Sequence, residues 1–533
     1  MPTPLEVLRS YPPHDHTLDG ALRSRCAVRG DRPMLIEQGS RLGWNRFAHD
    51  ADALALNLQA RGIGHADRVA VVARNAGGHV RLLFALARIG AVMVPLNPEF
   101  GVRELRYALK HADVAAVFTD AEVLPAVREA LCEAGIAPWL ALMQPTPGQD
   151  LPDLDQMREV MPRASLPPRP AADTPCVMIF TSGTTGFPKG VLHSQRSLLL
   201  VGEANLGRMR LQPEDRILVV LPFFHVNALF YSLGGMLASG AALIVAPRFS
   251  ASRFWQEAVD TGATVVNIIE AMGTILKSRD RSEYRPEHRL RAVYGVRQNA
   301  QAAFREDFGI EQLFSGFGMT EIPGVTCNPW GEPARPATMG TLARHPDPAQ
   351  PWAEARLVDE QGHDVPTGEV GELWVRTPVV MLGYFRDPEQ TAAAFHEGWL
   401  KTGDMVRCDA DGWFFYASRK KDIIRRRGEN IAGAEIDMAI GEHPSVYETA
   451  AIAVPSELGE DDILAAVVRK PGARLDAAEV VEWCRGRLAP HKLPRYVAFV
   501  DALPHTPTHK IAKALMRQDA DLRARAVDLQ PAR

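Results

Sequence analysis

The sequence predicts an α/β protein. A large N-terminal domain of layered α/β subdomains ends in a β-rich subdomain, and a small α+β C-terminal domain follows. Three observations carry this. The 533 residues exceed one ordinary domain. Short apolar runs alternate with helical patterns over residues 30–120 and again after residue 215, which signals parallel α/β layering. From about residue 350 the pattern turns to strands joined by glycine turns, and after an Arg/Lys run at 419–427 to a compact α+β mixture. The boundary is placed there, with domains at 1–420 and 421–533.

In order, strands are expected at 67–72, 91–96 and 114–118, with helices at 80–89 and 102–111 between them. Helical periodicity is absent from 144–175, where seven prolines from Pro145 to Pro170 crowd into a loop-rich connection. Cys176–Phe180 is apolar and reads as a buried strand. Strands at 216–221 and 242–246 flank a helix at 229–238; a helix at 254–261 and a strand at 264–269 follow. Further strands are expected at 353–359, 371–376 and 413–416. The C-terminal part reads as 434–443, 449–455, 463–469, 477–487 and 497–499, and no tandem repeat is present.

Composition narrows the function. The chain is 46% hydrophobic and 23% charged, with a formal net charge of −4, so nothing suggests a nucleic-acid partner. Six scattered cysteines form no CxxC or Cys/His cluster, which points to neither a zinc site nor a disulfide framework. The N-terminus has no signal-peptide apolar region, and the most apolar window, 82–96, is short and broken by Arg88. A soluble cytoplasmic protein without a membrane span is expected.

The strand at 176–180 empties into a loop of hydroxyls (Thr181, Ser182, Thr184, Thr185), glycines (Gly183, Gly186, Gly190) and Lys189. Glycines let backbone N–H groups approach an anion, hydroxyls add donors, and a lysine adds a point charge, which together suit a phosphate cradle. The spacing is not that of a Walker A loop. By composition alone, a polar surface loop is an equal reading. The residue order is more specific. Thr-Ser-Gly-Thr-Thr-Gly-x-Pro-Lys-Gly resembles the signature loop of the adenylate-forming superfamily: acyl-CoA synthetases, luciferases and nonribosomal adenylation domains. That family's other motifs follow in order. They are 87–98, Leu221–Asn227, Gly316–Glu321, Gly368–Trp374 with Gly383–Phe385, Trp399–Asp404, Ser418–Asp422 with Arg427–Asn430, and Thr508–Lys510. The resemblance covers nearly the whole chain and is of the acyl-CoA synthetase type.

The resemblance implies an ATP-dependent, AMP-forming acid–CoA ligase using ATP, Mg²⁺ and coenzyme A, with a small carboxylic acid as partner and a mobile C-terminal domain. A homodimer is a further expectation. Thr181, Ser182, Gly183, Thr184, Thr185 and Lys189 would hold the β/γ phosphates, Glu321 the Mg²⁺, and Thr320 the α-phosphate. Gly316, Phe317 and Gly318 would frame adenine; Asp404, assisted by Arg419, would bind the ribose. Lys510 would be the catalytic cation, bridging the carboxylate and the α-phosphoryl oxygen; an isolated lysine is otherwise a solvated surface group. Lys421 falls at the hinge position, and Gly428, Glu429 and Asn430 in the loop facing the thioester step; a basic solvated linker is the plainer reading. His225 would gate the acyl pocket, which also takes in Asn227, Glu270, Tyr294 and Met319; a satisfied core histidine is the alternative for His225.

Three departures from the family pattern stand out. His509 and Ser418 occupy positions where the family usually has glycine, and Leu290–Asn299 lacks the usual Gly-Ala-Pro loop. That altered loop, with Arg427–Ile431, resembles the crotonobetaine/carnitine–CoA ligase group. Glu270 ends an apolar run. A buried carboxylate there would pair with a cationic acid. The other reading is that it opens a helix and faces water, favoured by the helix dipole. Two further functions remain: an adenylate-former that transfers to a carrier protein or activates an unusual acid such as nitrite, and a non-catalytic nucleotide- and acyl-binding protein.

Overall fold

The computed structural model describes residues 1–529 except 38, 161, 182–187, 297, 333–334, 336, 427–428, 457–460, 486 and 506–510; the side chains of residues 298, 299, 421, 423, 429 and 430 are also outside the description. The chain divides into two compact units. One comprises residues 1–181, 188–354 and 375–400; the other comprises 182–187, 355–374 and 401–533.

The first unit is built on two seven-stranded sheets. In one, Gln312–Phe314, Ala292–Tyr294, Val265–Asn267, Arg216–Val219, Ala242–Val245 and Pro33–Glu37 run in that order, all parallel, and Ser40–Gly43 closes the edge antiparallel. The other has the order Gly383–Tyr384, Lys189–Ser194, Pro175–Thr181, Val92–Leu96, Arg68–Val72, Val114–Thr119 and Trp139–Leu142. Its central strands are apolar on both faces: all five residues of Val92–Leu96 are buried. That is the pattern of a parallel sheet covered by helices on both sides. The helix Gln195–Met209 is buried almost all round. It packs against the next helical segment where Gly202 meets Gly234, and a Cβ on Gly202 would collide with the Gly234 backbone.

The layered α/β architecture is therefore present, with local differences. The stretch expected as one helix at 229–238 begins as a π-helix, Asn227–Leu233, and becomes α-helical only at Gly234–Ser239. The proline-rich connection holds one short helix, Leu154–Glu159, capped by Asp153, so its lack of helical character is corrected there. Two pairings were not anticipated: the antiparallel pair Pro175–Thr181 with Lys189–Ser194, and the hairpin Gly316–Met319 with Ile322–Cys327.

In the second unit, Trp413–Arg419 pairs antiparallel with Trp399–Cys408, and the sheet continues to Val370–Arg376 and Glu354–Val358. Its C-terminal part is a four-stranded sheet in the order Val446–Pro455, Asp461–Arg469, Tyr496–Phe499 and Val527–Asp528. The helix Gly433–Gly441 packs on the first of these strands. Among the described residues no helix is long and apolar enough to cross a membrane.

Candidate active site

The ends of the phosphate-loop candidate are fixed by sheet pairing. Thr181 lies opposite Lys189, and Phe180 opposite Gly190, so the chain leaves and re-enters the sheet at adjacent positions. The Pro188 carbonyl accepts a hydrogen bond from the Tyr107 hydroxyl at 3.0 Å. Ser182, Gly183, Thr184 and Thr185 lie outside the described residues.

Lys189 is half-buried at the start of its strand. Its Nζ donates to Gln390 Oε1 at 2.8 Å and lies 4.5 Å from the centre of the Tyr384 ring. The Tyr384 hydroxyl in turn donates to Glu321 Oε1 at 2.8 Å. One tyrosine thus touches both the candidate phosphate lysine and the candidate metal carboxylate. Burial, and then the Glu321 carboxylate, raise the Tyr384 phenol far above its ordinary pKa, so it stays a donor at any physiological pH. Glu321 is buried at 8% exposure. Among the described residues no group of three His, Cys, Asp or Glu side chains is placed to hold a metal ion. A single carboxylate suits Mg²⁺, which keeps waters and takes phosphate oxygens for its remaining ligands.

Glu321 and Thr320 sit at the turn of the 316–327 hairpin. Gly316 pairs with Cys327 and Met319 with Ile322. A side chain at Gly316 would collide with the Thr326 carbonyl, so glycine is required where the strands approach this closely. The Phe317 N–H donates to Thr326 Oγ1 at 3.1 Å, and Gly318 is exposed. His193 braces this turn from behind: its Nε2 lies 2.7 Å from the Thr320 carbonyl and its Nδ1 3.1 Å from Ser197 Oγ. A carbonyl only accepts, so Nε2 carries the proton. Burial lowers the His193 pKa to about 4, so the ring is neutral.

The candidate gate His225 is half-buried, its N–H bonded to the Pro222 carbonyl at 3.1 Å and its ring tilted against Phe224. The segment before it is clamped by buried Asn75, whose Nδ2 donates to the Leu221 carbonyl at 2.8 Å and whose Oδ1 accepts from the Phe223 N–H at 2.9 Å. Asn227 opens the π-helix and accepts from Asn267 Nδ2 at 3.0 Å. Tyr294 is buried edge-on to Tyr231, ring centres 5.7 Å apart, and Met319 is half-buried. The altered loop keeps one strict requirement: Gly295 has φ +96°, and a Cβ there would collide with the Ile268 carbonyl. Glu270 does not fit the buried-carboxylate reading. It is exposed and is the first residue of Glu270–Ser278, where a helix N-terminus favours a carboxylate.

In the second unit Asp404 is fully buried, with Arg419 Nε 2.8 Å from its Oδ1; the two residues are also direct cross-strand partners. Glu372 completes the cluster, accepting from the Gly403 N–H at 3.2 Å and from Lys420 Nζ at 2.8 Å. Lys421 lies in the 3₁₀ turn Lys420–Asp422, and Glu429 and Asn430 in the strand Glu429–Ala432, paired with Ile423–Arg426. Gly428 and Lys510 lie outside the described residues.

Sequence reasoning assigned no role to Tyr384, His193, Asn75 or Glu372. Tyr384 and Glu372 stand inside quoted motifs, so a signal existed. His193 and Asn75 act through backbone groups distant in sequence, and only the fold brings them there.

Residues 22–385 match the family model for AMP-binding enzymes, and residues 435–510 match that for the AMP-binding enzyme C-terminal domain. A sulfoacetate–CoA ligase from Cupriavidus necator is 35% identical over 95% of this chain and 98% of its own length. A crotonobetaine/carnitine–CoA ligase from Salmonella paratyphi B is 28% identical over 92% of this chain and 96% of its own. The crystal structure of ATP-bound MatB from Rhodopseudomonas palustris superposes with a TM-score of 0.84 at 26% identity, covering 95% of this chain and 98% of that one.

Proposed function

The chain belongs to the AMP-binding enzyme family of adenylate-forming acyl-CoA synthetases, and from that premise we propose that it joins a small or medium-sized carboxylic acid to CoA. It is an acid–thiol ligase of the class that uses ATP, Mg²⁺ and CoA and works through an acyl-adenylate. The observation that carries the residue assignments is the Lys189–Tyr384–Glu321 chain of contacts, which gathers a phosphate-seeking cation and a metal-seeking carboxylate around one buried phenol.

The chemistry explains why such a cluster is needed. A carboxylate oxygen attacks the α-phosphorus of ATP and pyrophosphate leaves, although both reactants are anions. Fixed cations and donors lower that barrier most where charge develops. In our reading Lys189 and the 181–185 loop hold the leaving pyrophosphate, Thr320 contacts the α-phosphate, and Phe317 offers a ring face to adenine. Bound Mg²⁺, held by Glu321, supplies charge neutralisation at the phosphates. Asp404 and Arg419 hold the ribose hydroxyls, a role that suits a buried carboxylate whose charge is balanced by one guanidinium. Lys510 bridges the attacking carboxylate and the phosphoryl oxygen. A thiol then attacks the acyl carbonyl and AMP leaves. We assign that step to a rearrangement of a C-terminal domain, residues 421–533, about Lys421, with Gly428, Glu429 and Asn430 facing the thiol.

The relatives' names point in opposite directions, one to an acid with a second anion and the other to acids with a quaternary ammonium. Glu270 is exposed, so it does not supply the buried carboxylate that would favour a cationic acid. The test is pyrophosphate release across a panel of acids, with and without CoA. Release that yields a CoA thioester is expected for at least one acid. Release without a CoA product would point to transfer to a carrier protein, and none with any acid would overturn the proposal.

A further inference from the structure

Arg208 is a buried charge without an ionic partner among the described residues. It lies in the last turn of Gln195–Met209 and is 8% exposed. Its Nη2 donates to the Gly324 carbonyl and the guanidinium reaches the buried Tyr231 hydroxyl, while Nε and Nη1 are buried without an acceptor of their own. The guanidinium carbon lies 5.8 Å from the centre of the Tyr231 ring. A guanidinium stays charged and offers five donors. Burying it with two N–H groups unpaired is costly unless something supplies the missing acceptors.

Its surroundings indicate what could. Gly324 stands three residues after Glu321 in the hairpin that carries Thr320 and Glu321, and has φ +75°; any side chain there would run into the guanidinium. Tyr231 lies on the π-helix that starts two residues after His225, and is edge-on to Tyr294. A Cβ on Gly318 would come within 2.8 Å of the Tyr231 hydroxyl. Arg208 thus touches the π-helix that begins at the proposed acyl-pocket residue Asn227 and the hairpin that carries Met319, and Tyr231 links it to Tyr294. The C-terminal helix dipole eases its charge but gives no acceptor to Nε or Nη1.

We propose that Arg208, with the Tyr231 hydroxyl beside it, is a specificity-determining pair that recognises a second anionic group, a sulfonate or a carboxylate, on the acid being activated. This rests on the ligase reading above. Planar, forked donors suit both oxyanions, and burial away from water strengthens such a contact.

The test compares wild type, Arg208→Met and Arg208→Lys on sulfoacetate, malonate and propanoate. Thioester formation is measured first, and separately the shift in melting temperature that each acid causes in the presence of ATP. In wild type the two dianionic acids should give the higher kcat/KM and the larger shift. In Arg208→Met the dianionic-to-propanoate ratio of kcat/KM should fall at least tenfold, mostly through KM, and the extra shift should vanish. Arg208→Lys should retain part of both. Sulfoacetate preferred over malonate, or the reverse, would name the anion. A purely structural role predicts equal losses on all three acids, and that result, or a wild type that favours propanoate in both measurements, overturns the proposal. A dianion-specific melting shift lost in Arg208→Met, without thioester formation from any acid, would sustain the anion site while the ligase reading failed.

Discussion

Tyr384 is the side chain on which the proposed phosphate and metal groups meet. Its hydroxyl holds one oxygen of Glu321, leaving the rest of the carboxylate for a cation, and its ring face lies beside the Lys189 ammonium. Tyr384→Phe keeps the ring and the cation–π contact but removes the donor. A hydrogen bond to a charged group contributes about 1.5–3 kcal/mol. The variant should therefore lose roughly 10- to 100-fold in kcat/KM and need more Mg²⁺ for half-maximal pyrophosphate release. A variant with wild-type Mg²⁺ dependence would separate Tyr384 from the metal-binding carboxylate.

At the scale of elements, buried histidines fasten the segments that carry the site. His193 joins the Lys189–Ser194 strand to the turn at Thr320, and His79 stacks on Phe223 two residues before His225. Burial holds both near a pKa of about 4, against an ordinary 6.5. Between those values the unfolded chain takes up protons that the native fold refuses. Stability is therefore intact above pH 6.5 and falls as pH drops toward 4, by about 2 kcal/mol per group at pH 5. Urea midpoints for wild type and His79→Phe between pH 7.5 and 5 check this: the variant should show a shallower decline, and parallel curves would contradict it. Legibility at this scale followed burial. Continuous apolar runs such as 92–96 and 114–119 identified their own strands, because both faces are covered. The 316–327 hairpin stayed hidden, since glycine disfavours strands and only its close pairing with Thr326 explains it. The π-helix at 227–233 was equally hidden, because its apolar residues suit an α-helix as well.

For the whole molecule, motif order carried more information than any local pattern. The loop at 181–190, the Gly316–Glu321 motif and the Asp404 motif point to the reaction class through their order along the chain, which resembles that of the family. The choice of acid was less legible. Glu270 left two readings open, a buried partner for a cationic acid and a helix start facing water, and its exposed place at the head of Glu270–Ser278 fits the second. Arg208 gave no signal in a helix whose sequence is otherwise unremarkable, and only burial marks it. In the proposed reaction a carboxylate oxygen becomes bonded to the α-phosphorus before the thiol attacks. Turnover of an acid labelled with ¹⁸O in its carboxylate, in the presence of ATP, Mg²⁺ and CoA, tests this by mass spectrometry. One ¹⁸O atom is expected in the released AMP and none in pyrophosphate. AMP without label, or label in inorganic phosphate with ADP as product, would contradict it.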